Sequence, residues 1–520
     1  MFNFKKNYFY YFLSIFLFIG LIASFKTGIS HDEWHEQKNW EFNKQLVNNF
    51  IKGEKENSNF LDKYYGVGFQ YISQPLQSLI ISINKNNTNI SKDGLQYISK
   101  HPIIFIFYII SGLFFYKFLN SITKNKNFSY LGTIFYLLYP YLLGHSLFNP
   151  KDIPFLTTWL ACTYYSCRLL SSYLFKKEVS TKKLAILSLI TAFLISIRIS
   201  GILIFLQYFV TFLIMASLVK FSSKDFFYIS KKFLIFIITN VVFIIILYPI
   251  FWSNPLELIN AINFMSSHHN DVSTLTLGKG MKSKNLDSMY LPIWFLFKLP
   301  IIVLIGLLLI PLSEKKIFIN DKNKIFFGTI LASPLLITFL LIFKGVPLYD
   351  ELRQVLFLVP LLVLASLTSL YYLLKDKSYL FLIFFIIFFT IENLRMYPYQ
   401  YTWFNLPSRV VDLSKNFELD YWGVSGKNIA KKINQLKLNK STCIVVSPIH
   451  STKPFLNKSF DCFKSWSEIN TEIKRPFYAV QIGRNLRNSI GYKCEVIHQE
   501  NTELIFYKKK LIVGNLIKCI

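Results

Sequence analysis

The chain has 520 residues, 52% of them hydrophobic and 18% aromatic, with a formal charge of +28. Apolar runs of about 20 residues recur along it, which excludes a soluble globular protein and defines a multi-pass membrane protein. The lysines fall mostly in short loops between those runs, where membrane orientation accounts for them, and no basic groove-reading face points to nucleic acid.

In chain order, Lys5-Lys6 is followed by an apolar stretch from Tyr8 to Phe25. It is long for a cleaved leader and ends in no small-x-small site, so it reads as the first span. Further runs lie near 102–121, 129–148, 154–174, 184–197, 199–219, 232–252, 291–312, 325–343, 354–374 and 379–396. Together these predict about eleven transmembrane helices. Lysine clusters occupy alternate connections: Lys124/Lys126, Lys176/Lys177/Lys182/Lys183, Lys220/Lys224/Lys231/Lys232, Lys315/Lys316/Lys322/Lys324 and Lys375/Lys377. The positive-inside rule puts these and the N-terminus in the cytoplasm. The other connections (27–101, 149–153, around 198, 253–290, 344–353 and everything after about 397) then face outward. An odd number of spans leaves the C-terminus outside, in agreement.

The first outer loop, 27–101, opens with Ser30-His31-Asp32-Glu33. Ser30 with an acid three residues on has the form of a capping box, which predicts a helix to about Phe50. Tyr64 to Ile83 carries apolar residues at helical spacing and suits a helix along the membrane surface. After residue 396 the long runs stop. Short β-like runs appear at Cys443 to Val446, Phe477 to Ile482, Leu504 to Tyr507 and Leu511 to Val513. They predict a small outward-facing domain of mixed helix and strand over 397–520, behind a membrane domain over 1–396. Of six cysteines, Cys443, Cys462, Cys494 and Cys519 fall in this segment. One or two disulfides are open to them in an oxidising compartment, and spacing does not pair them.

The candidates for chemistry are the polar residues on the outer side. Glu33 has a capping task available to it, whereas Asp32 does not and is available as a general base. His31 and His35 share a helix face, and His-Asp-x-x-His is one methylene short of the zinc-protease pattern. Asp152, in the tight turn Asn149-Pro150-Lys151-Asp152, is a candidate second acid, and Asp32 and Asp152 are candidate ligands of a divalent metal. Lys151 suits a phosphate. Arg198 interrupts apolar sequence, where an arginine is costly without a cavity, partner or anionic ligand. Tyr349, Asp350, Lys344 and Arg353 crowd another outer turn. His268 and His269 sit in a basic outer loop.

The acidic pair after the first span, with the stretches His145-to-Phe155 (HSLFNPKDIPF), Tyr290-to-Pro300 (YLPIWFLFKLP), Tyr349-to-Phe357 (YDELRQVLF) and Phe417-to-Gly423 (FELDYWG), resembles the GT-C glycosyltransferase superfamily. Within it the chain is similar to family 39-like proteins, the relatives of protein O-mannosyltransferases and of the aminoarabinose transferase acting on lipid A. The resemblance implies an all-α polytopic, GT-C-like membrane protein with a small C-terminal α/β extracytoplasmic domain. It also implies transfer of a sugar from a polyprenyl-phosphate donor to a hydroxyl of a glycolipid, glycan or protein. In that likeness Asp32, Glu33 and Asp152 are the catalytic acids. Arg198 and Arg353 lie where the family places basic residues for the lipid phosphate; from the residues alone, Lys344 and Lys151 are candidate helpers there, and His31, His35, His268, His269, Tyr349 and Asp350 are candidate substrate or loop contacts. A transporter or flippase, a polysaccharide polymerase or ligase, and an intramembrane metalloprotease remain as alternatives.

Overall fold

The computed structural model describes residues 6–54, 60, 62–85, 90–267, 271–468, 473, 475–487 and 493–520. The helices in chain order are α1 (Lys6–Lys26), α2 (His31–Lys52), α3 (Gly68–Ile83), α4 (Lys92–Ile98), α5 (His101–Thr123), α6 (Lys126–Leu138) and α7 (Pro140–Ser146). There follow α8 (Asp152–Lys176), α9 (Thr181–Ile197), α10 (Ile204–Ala216), α11 (Ser223–Leu247), α12 (Glu257–Ser267), α13 (Tyr290–Lys298), α14 (Ile301–Leu308) and α15 (Ile310–Ile317). The last are α16 (Asp321–Phe343), α17 (Val359–Leu374), α18 (Lys377–Met396), α19 (Leu413–Asn416) and α20 (Gly426–Gln435).

Among the described residues, seven helical stretches are long and apolar enough to cross a membrane: α1, Lys92–Thr123, Ile199–Ala216, α11, α16, Arg353–Leu374 and α18. The pair α13 and α14 makes an eighth if its bend of 115° lies within one crossing. The remaining stretches that read as spans differ for local reasons. The run over 129–148 is broken at Tyr139, because Pro140 cannot continue the helix before it. Helix α8 is long enough at 25 residues but carries six Thr and Ser side chains and Arg168, which lower its hydropathy. Helix α9 has only 17 residues.

Apolar side chains stand exposed along α1 (Tyr11, Ile15, Phe18, Ile19), α11 (Phe226, Phe233, Leu234, Ile238) and α18 (Leu380, Phe384, Ile387). In water each would forfeit roughly 25 cal/mol for every Å² left uncovered. Such continuous belts mark a membrane protein whose outer helices meet lipid. Helix α17 is the opposite case, buried on nearly all sides against α14, α15 and α16.

The C-terminal region carries a five-stranded sheet of β3 (Cys443–Ser447), β4 (Cys462–Lys464), β5 (Phe477–Ile482), β6 (Cys494–Thr502) and β7 (Leu511–Cys519), after a two-stranded hairpin of β1 (Ser273–Thr276) and β2 (Lys279–Lys282). Its order is β4-β3-β5-β7-β6, with β3 parallel to β4 and β5, and β7 antiparallel to β5 and β6. Strand alternation sends Ile444 and Val446 towards Ile429 and Ile433 of α20, and Val445 with Phe477 and Ala479 to the other face. Both faces are covered, which is why β3 reads as an unbroken apolar run.

Cys443 pairs with Cys462 across β3 and β4, and Cys494 with Cys519 across β6 and β7. Each bridge therefore staples an edge strand to its neighbour, a constraint worth about 3 kcal/mol in the loop-entropy account. Cys162 and Cys167 are free and buried.

The C-terminal region grips the loop that follows α1. The Trp422 carbonyl accepts from the His31 amide at 3.0 Å, and Lys427 donates to the Lys26 carbonyl at 2.8 Å. A Cβ on Gly28 would lie 2.1 Å from the Val424 carbonyl oxygen, so only glycine allows this approach. Behind it, Arg409 makes a two-pronged ion pair with Glu392 of α18 at 2.9 and 3.1 Å. Thiol labelling of the unfolded protein should tag two cysteines before reduction and six after it. Four or more tagged without reductant would overturn the pairing.

Candidate functional site

The site is a cluster of carboxylates closed around one guanidinium. Arg353 lies at the start of a 3-10 turn leading into α17. Its Nη1 donates to Asp350 at 2.6 Å, its Nε lies 3.2 Å from Asp152, and its Nη2 donates to Asp32. The Trp422 ring centre lies 4.1 Å from its Cζ, a cation–π contact that covers the guanidinium.

Two of these acids, Asp32 and Asp152, are delivered by helix N-termini. Ser30 caps α2, and its amide and hydroxyl donate to Glu33 at 2.6 and 3.0 Å, which leaves Asp32 one residue earlier and turned towards Arg353. Asn149 opens α8. Its side-chain oxygen accepts from the Lys151 and Asp152 amides at 3.2 and 2.9 Å, and its amide nitrogen donates to the Asp152 carboxylate at 2.9 Å. Arg198, in the break between α9 and α10, donates to the other oxygen of Asp152. Carboxylates at helix N-termini also profit from the helix dipole.

The turn bearing Asp350 is held by a second, fully buried pair. Lys298 Nζ lies 2.8 Å from Glu351 Oε1, and neither side chain is exposed. Asp350 and Glu351 both have left-handed backbone, with φ of 60° and 64°, a conformation that costs a non-glycine residue roughly 1 kcal/mol or more. Burial pushes the Glu351 carboxyl up, and Lys298 pulls it back only in part.

The structure brings Asp32, Asp152, Arg198, Asp350 and Arg353 into one cluster, with Tyr349 beside it at 5.8 Å from Arg353 Cζ. It directs other candidates elsewhere. Glu33 is fully buried and is bound by Ser30 and by His101 at 2.8 Å, so its carboxylate does not face the cluster. Lys151 is committed to Glu36 at 2.7 Å. Lys344 is exposed at the end of α16 and makes none of these contacts. His268 and His269 lie outside the described residues.

His31 and His35 stand edge to face at 5.2 Å, and Trp34 between them stacks on His450 of the C-terminal region at 4.6 Å. Burial lowers the His31 pKa, and His450 falls to about 4 through burial and the nearby His31, His35, Lys38 and Lys453. Both shifts favour the neutral imidazole. Among the described residues no group of three or more His, Cys, Asp or Glu is disposed to hold a metal ion. Asp32 and Asp152 each spend one oxygen on Arg353.

Exposure separates the acids. The Asp32 side chain is 23% exposed, against 1% for Asp152 and 4% for Asp350. Burial is the largest single influence on Asp32 and opposes its ionisation, but Arg353, His31, His35 and Lys151 together outweigh it and hold its carboxyl below the usual range.

Two participants escaped the sequence reading. Arg484, after β5, donates to Asp350, and its Nε lies 3.2 Å from Glu418. Of 57 basic residues only eight are arginine, and three of those eight meet at this cluster. Arginine scarcity in a lysine-rich chain was the available signal, because a forked cation is not replaced by lysine. A comparison with protein-family models and with curated proteins returned no match.

Glu351→Gln, which leaves Lys298 buried without its partner charge, should cost about 3–5 kcal/mol. Lys298→Met combined with Glu351→Gln should recover a large part of it. Thermal unfolding in detergent reads this, and equal losses in the single and double variants would refute the pairing account.

Proposed function

We propose that the protein is a membrane glycosyltransferase of GT-C type. It moves a sugar from a polyprenyl-phosphate donor to an acceptor hydroxyl on the extracytoplasmic side. The observation that carries this reading is the partly open Asp32 carboxylate beside a guanidinium cluster at the ends of membrane helices. A base for an acceptor and cations for a departing phosphate are what such a transfer needs. In this reading the chain crosses the bilayer eleven times, with α6–α7, α8 and α9 as protein-enclosed spans. The N-terminus is cytoplasmic, and residues 397–520 form an extracytoplasmic domain that takes part in the site.

Asp32 receives the acceptor proton as its oxygen attacks the anomeric carbon. The sugar–phosphate bond breaks, and the lipid phosphate leaves with the electron pair. A weak base suffices, because the hydroxyl becomes acidic only as the new bond forms. Asp152 and Asp350 hold Arg353 in place, and Arg198 offers unused N–H groups to the phosphate. The lipid tail runs between helices at the bilayer boundary. The acceptor, whether glycolipid, glycan or protein, approaches from the C-terminal side. A transporter places its charges near the membrane midplane on broken helices, whereas here Asp32 and Asp152 sit at helix N-termini and Asp350 in a turn between helices.

Asp32→Asn should insert normally and lose transfer by about 10²–10⁴-fold, the usual worth of a general base. Asp152→Asn, which removes a buried partner of two arginines, should lower the yield of folded protein instead. Transfer from lipid-linked sugar in isolated membranes, with abundance measured alongside, separates the two. Full activity of Asp32→Asn would remove the base. Because Arg353 depresses the Asp32 pKa, its ionised form persists to lower pH. The kcat/KM of wild type should therefore hold on acidification until below about pH 4, the ordinary carboxylate value.

A further inference from the structure

Arg353 has three of its nitrogens committed to three carboxylates, and its side chain is only 7% exposed. It is poorly placed to receive a further anion. The accessible cations are Arg198 and Arg484, whose side chains are 20% and 33% exposed. Arg484 follows Gly483, whose φ of 59° turns the chain out of β5 and towards the membrane region. Its Nη2 is held by Asp350 and its Nε by the Ser273 carbonyl at 3.2 Å. Glu418 lies at the same distance. Among the described residues Nη1 has no hydrogen-bond partner, so two N–H groups point from a fixed guanidinium. The Tyr349 ring lies 6.0 Å from Arg484 and 5.8 Å from Arg353. Arg198 also acts electrostatically on Tyr349. Asp152, Asp350 and Glu418 lie beneath these groups. The open face therefore presents two guanidiniums and one carboxylate, although the cluster as a whole has more acids than arginines.

We propose that Arg484 is an anion ligand of this site, which binds the phosphate of the polyprenyl donor jointly with Arg198, so that the donor site is shared between the membrane helices and the C-terminal region. This rests on the glycosyltransferase reading. A phosphate diester carries one negative charge and accepting oxygens on two sides. A forked cation on each side matches that geometry, and a lysine does not. Asp350 sets the direction of the fork by taking one oxygen to Arg353 and the other to Arg484.

The test uses full-length protein in detergent, with polyprenyl phosphate, the matching polyprenol and inorganic phosphate as probes. Wild type should prefer polyprenyl phosphate to polyprenol. Arg484→Gln should weaken polyprenyl-phosphate binding roughly tenfold or more, as loss of a charge-assisted hydrogen bond does, and leave polyprenol binding unchanged. Arg484→Lys should fall between. The fold should persist, because Asp350 keeps Arg353 and Glu418 keeps Thr274 at 3.3 Å. Arg484→Gln binding polyprenyl phosphate as wild type does would overturn the assignment and leave the glycosyltransferase reading standing. Equal loss of phosphate and polyprenol would show a structural role and overturn it too. If wild type does not distinguish polyprenyl phosphate from polyprenol, or if inorganic phosphate competes as strongly as the lipid, the donor reading itself falls.

Discussion

A guanidinium cannot shed its charge inside a protein, and that constraint organises this molecule. Arg353 is buried, so it must find anions, and it finds three: Asp32 from the start of α2, Asp152 from the start of α8, and Asp350 from its own turn. A lysine would offer a point charge without three separated directions. The fork converts one cation into a joint between segments more than 300 residues apart in sequence. Through the second oxygen of Asp350, the joint extends to Arg484 and so to the C-terminal sheet. Helix packing sets how the spans lie against each other, and this joint fixes which of their ends meet.

The same arrangement suits a reaction in which negative charge moves and does not accumulate. In the proposed transfer, Asp32 is neutralised by the acceptor proton as the lipid phosphate goes from one negative charge to two. One unit of charge leaves the carboxylate and one appears on the leaving group, within the field of the same guanidiniums. Nothing has to reorganise, because Arg353 is held by Asp152 and Asp350 whether or not Asp32 is charged. Preorganised cations of this kind act where the charge develops. The excess of acids in the resting cluster then has a use, since one of them gives up its charge during the reaction.

Much of the architecture is legible in the sequence, and the gaps have physical causes. Apolar length identifies the most hydrophobic spans directly, but it does not register that Pro140 breaks one run or that threonines and serines dilute α8. The capping box at Ser30 is visible, and it already implies that Glu33 is engaged, since its carboxylate serves the N-cap. The buried His101 that completes its environment lies at the far end of the same loop and leaves no local pattern. Three strands, β3, β5 and β7, announce themselves by apolar runs. Strand β6 does not, because CEVIHQENT is a mostly polar edge. Cysteine spacing could not pair the bridges, because the pairing follows strand register. Asp350 and Arg353 were visible as a charged turn, but Arg484 lies over 130 residues away in an unremarkable loop.

The left-handed pair Asp350-Glu351 shows why this turn is built as it is. Glycine would relieve the backbone at both positions, yet it has no carboxylate, and each position uses one. Asp350 bridges two arginines, and Glu351 meets Lys298 beneath them. The strain of two positive φ angles is therefore offset by the charge pairs those angles allow. The Tyr290 hydroxyl adds a further anchor by accepting from the Glu351 amide at 3.1 Å. The pair on Glu351 makes no contact with the open face, so it is free to act as ballast: it holds the turn rigid from below while Asp350 aims the guanidiniums above. In the proposed transfer, rigidity at that point would matter because a guanidinium displaced by an ångström no longer meets a phosphate at hydrogen-bonding distance, and such small misplacements are costly to catalysis. The chain has thus placed two consecutive left-handed residues where direction, more than stability, is at stake.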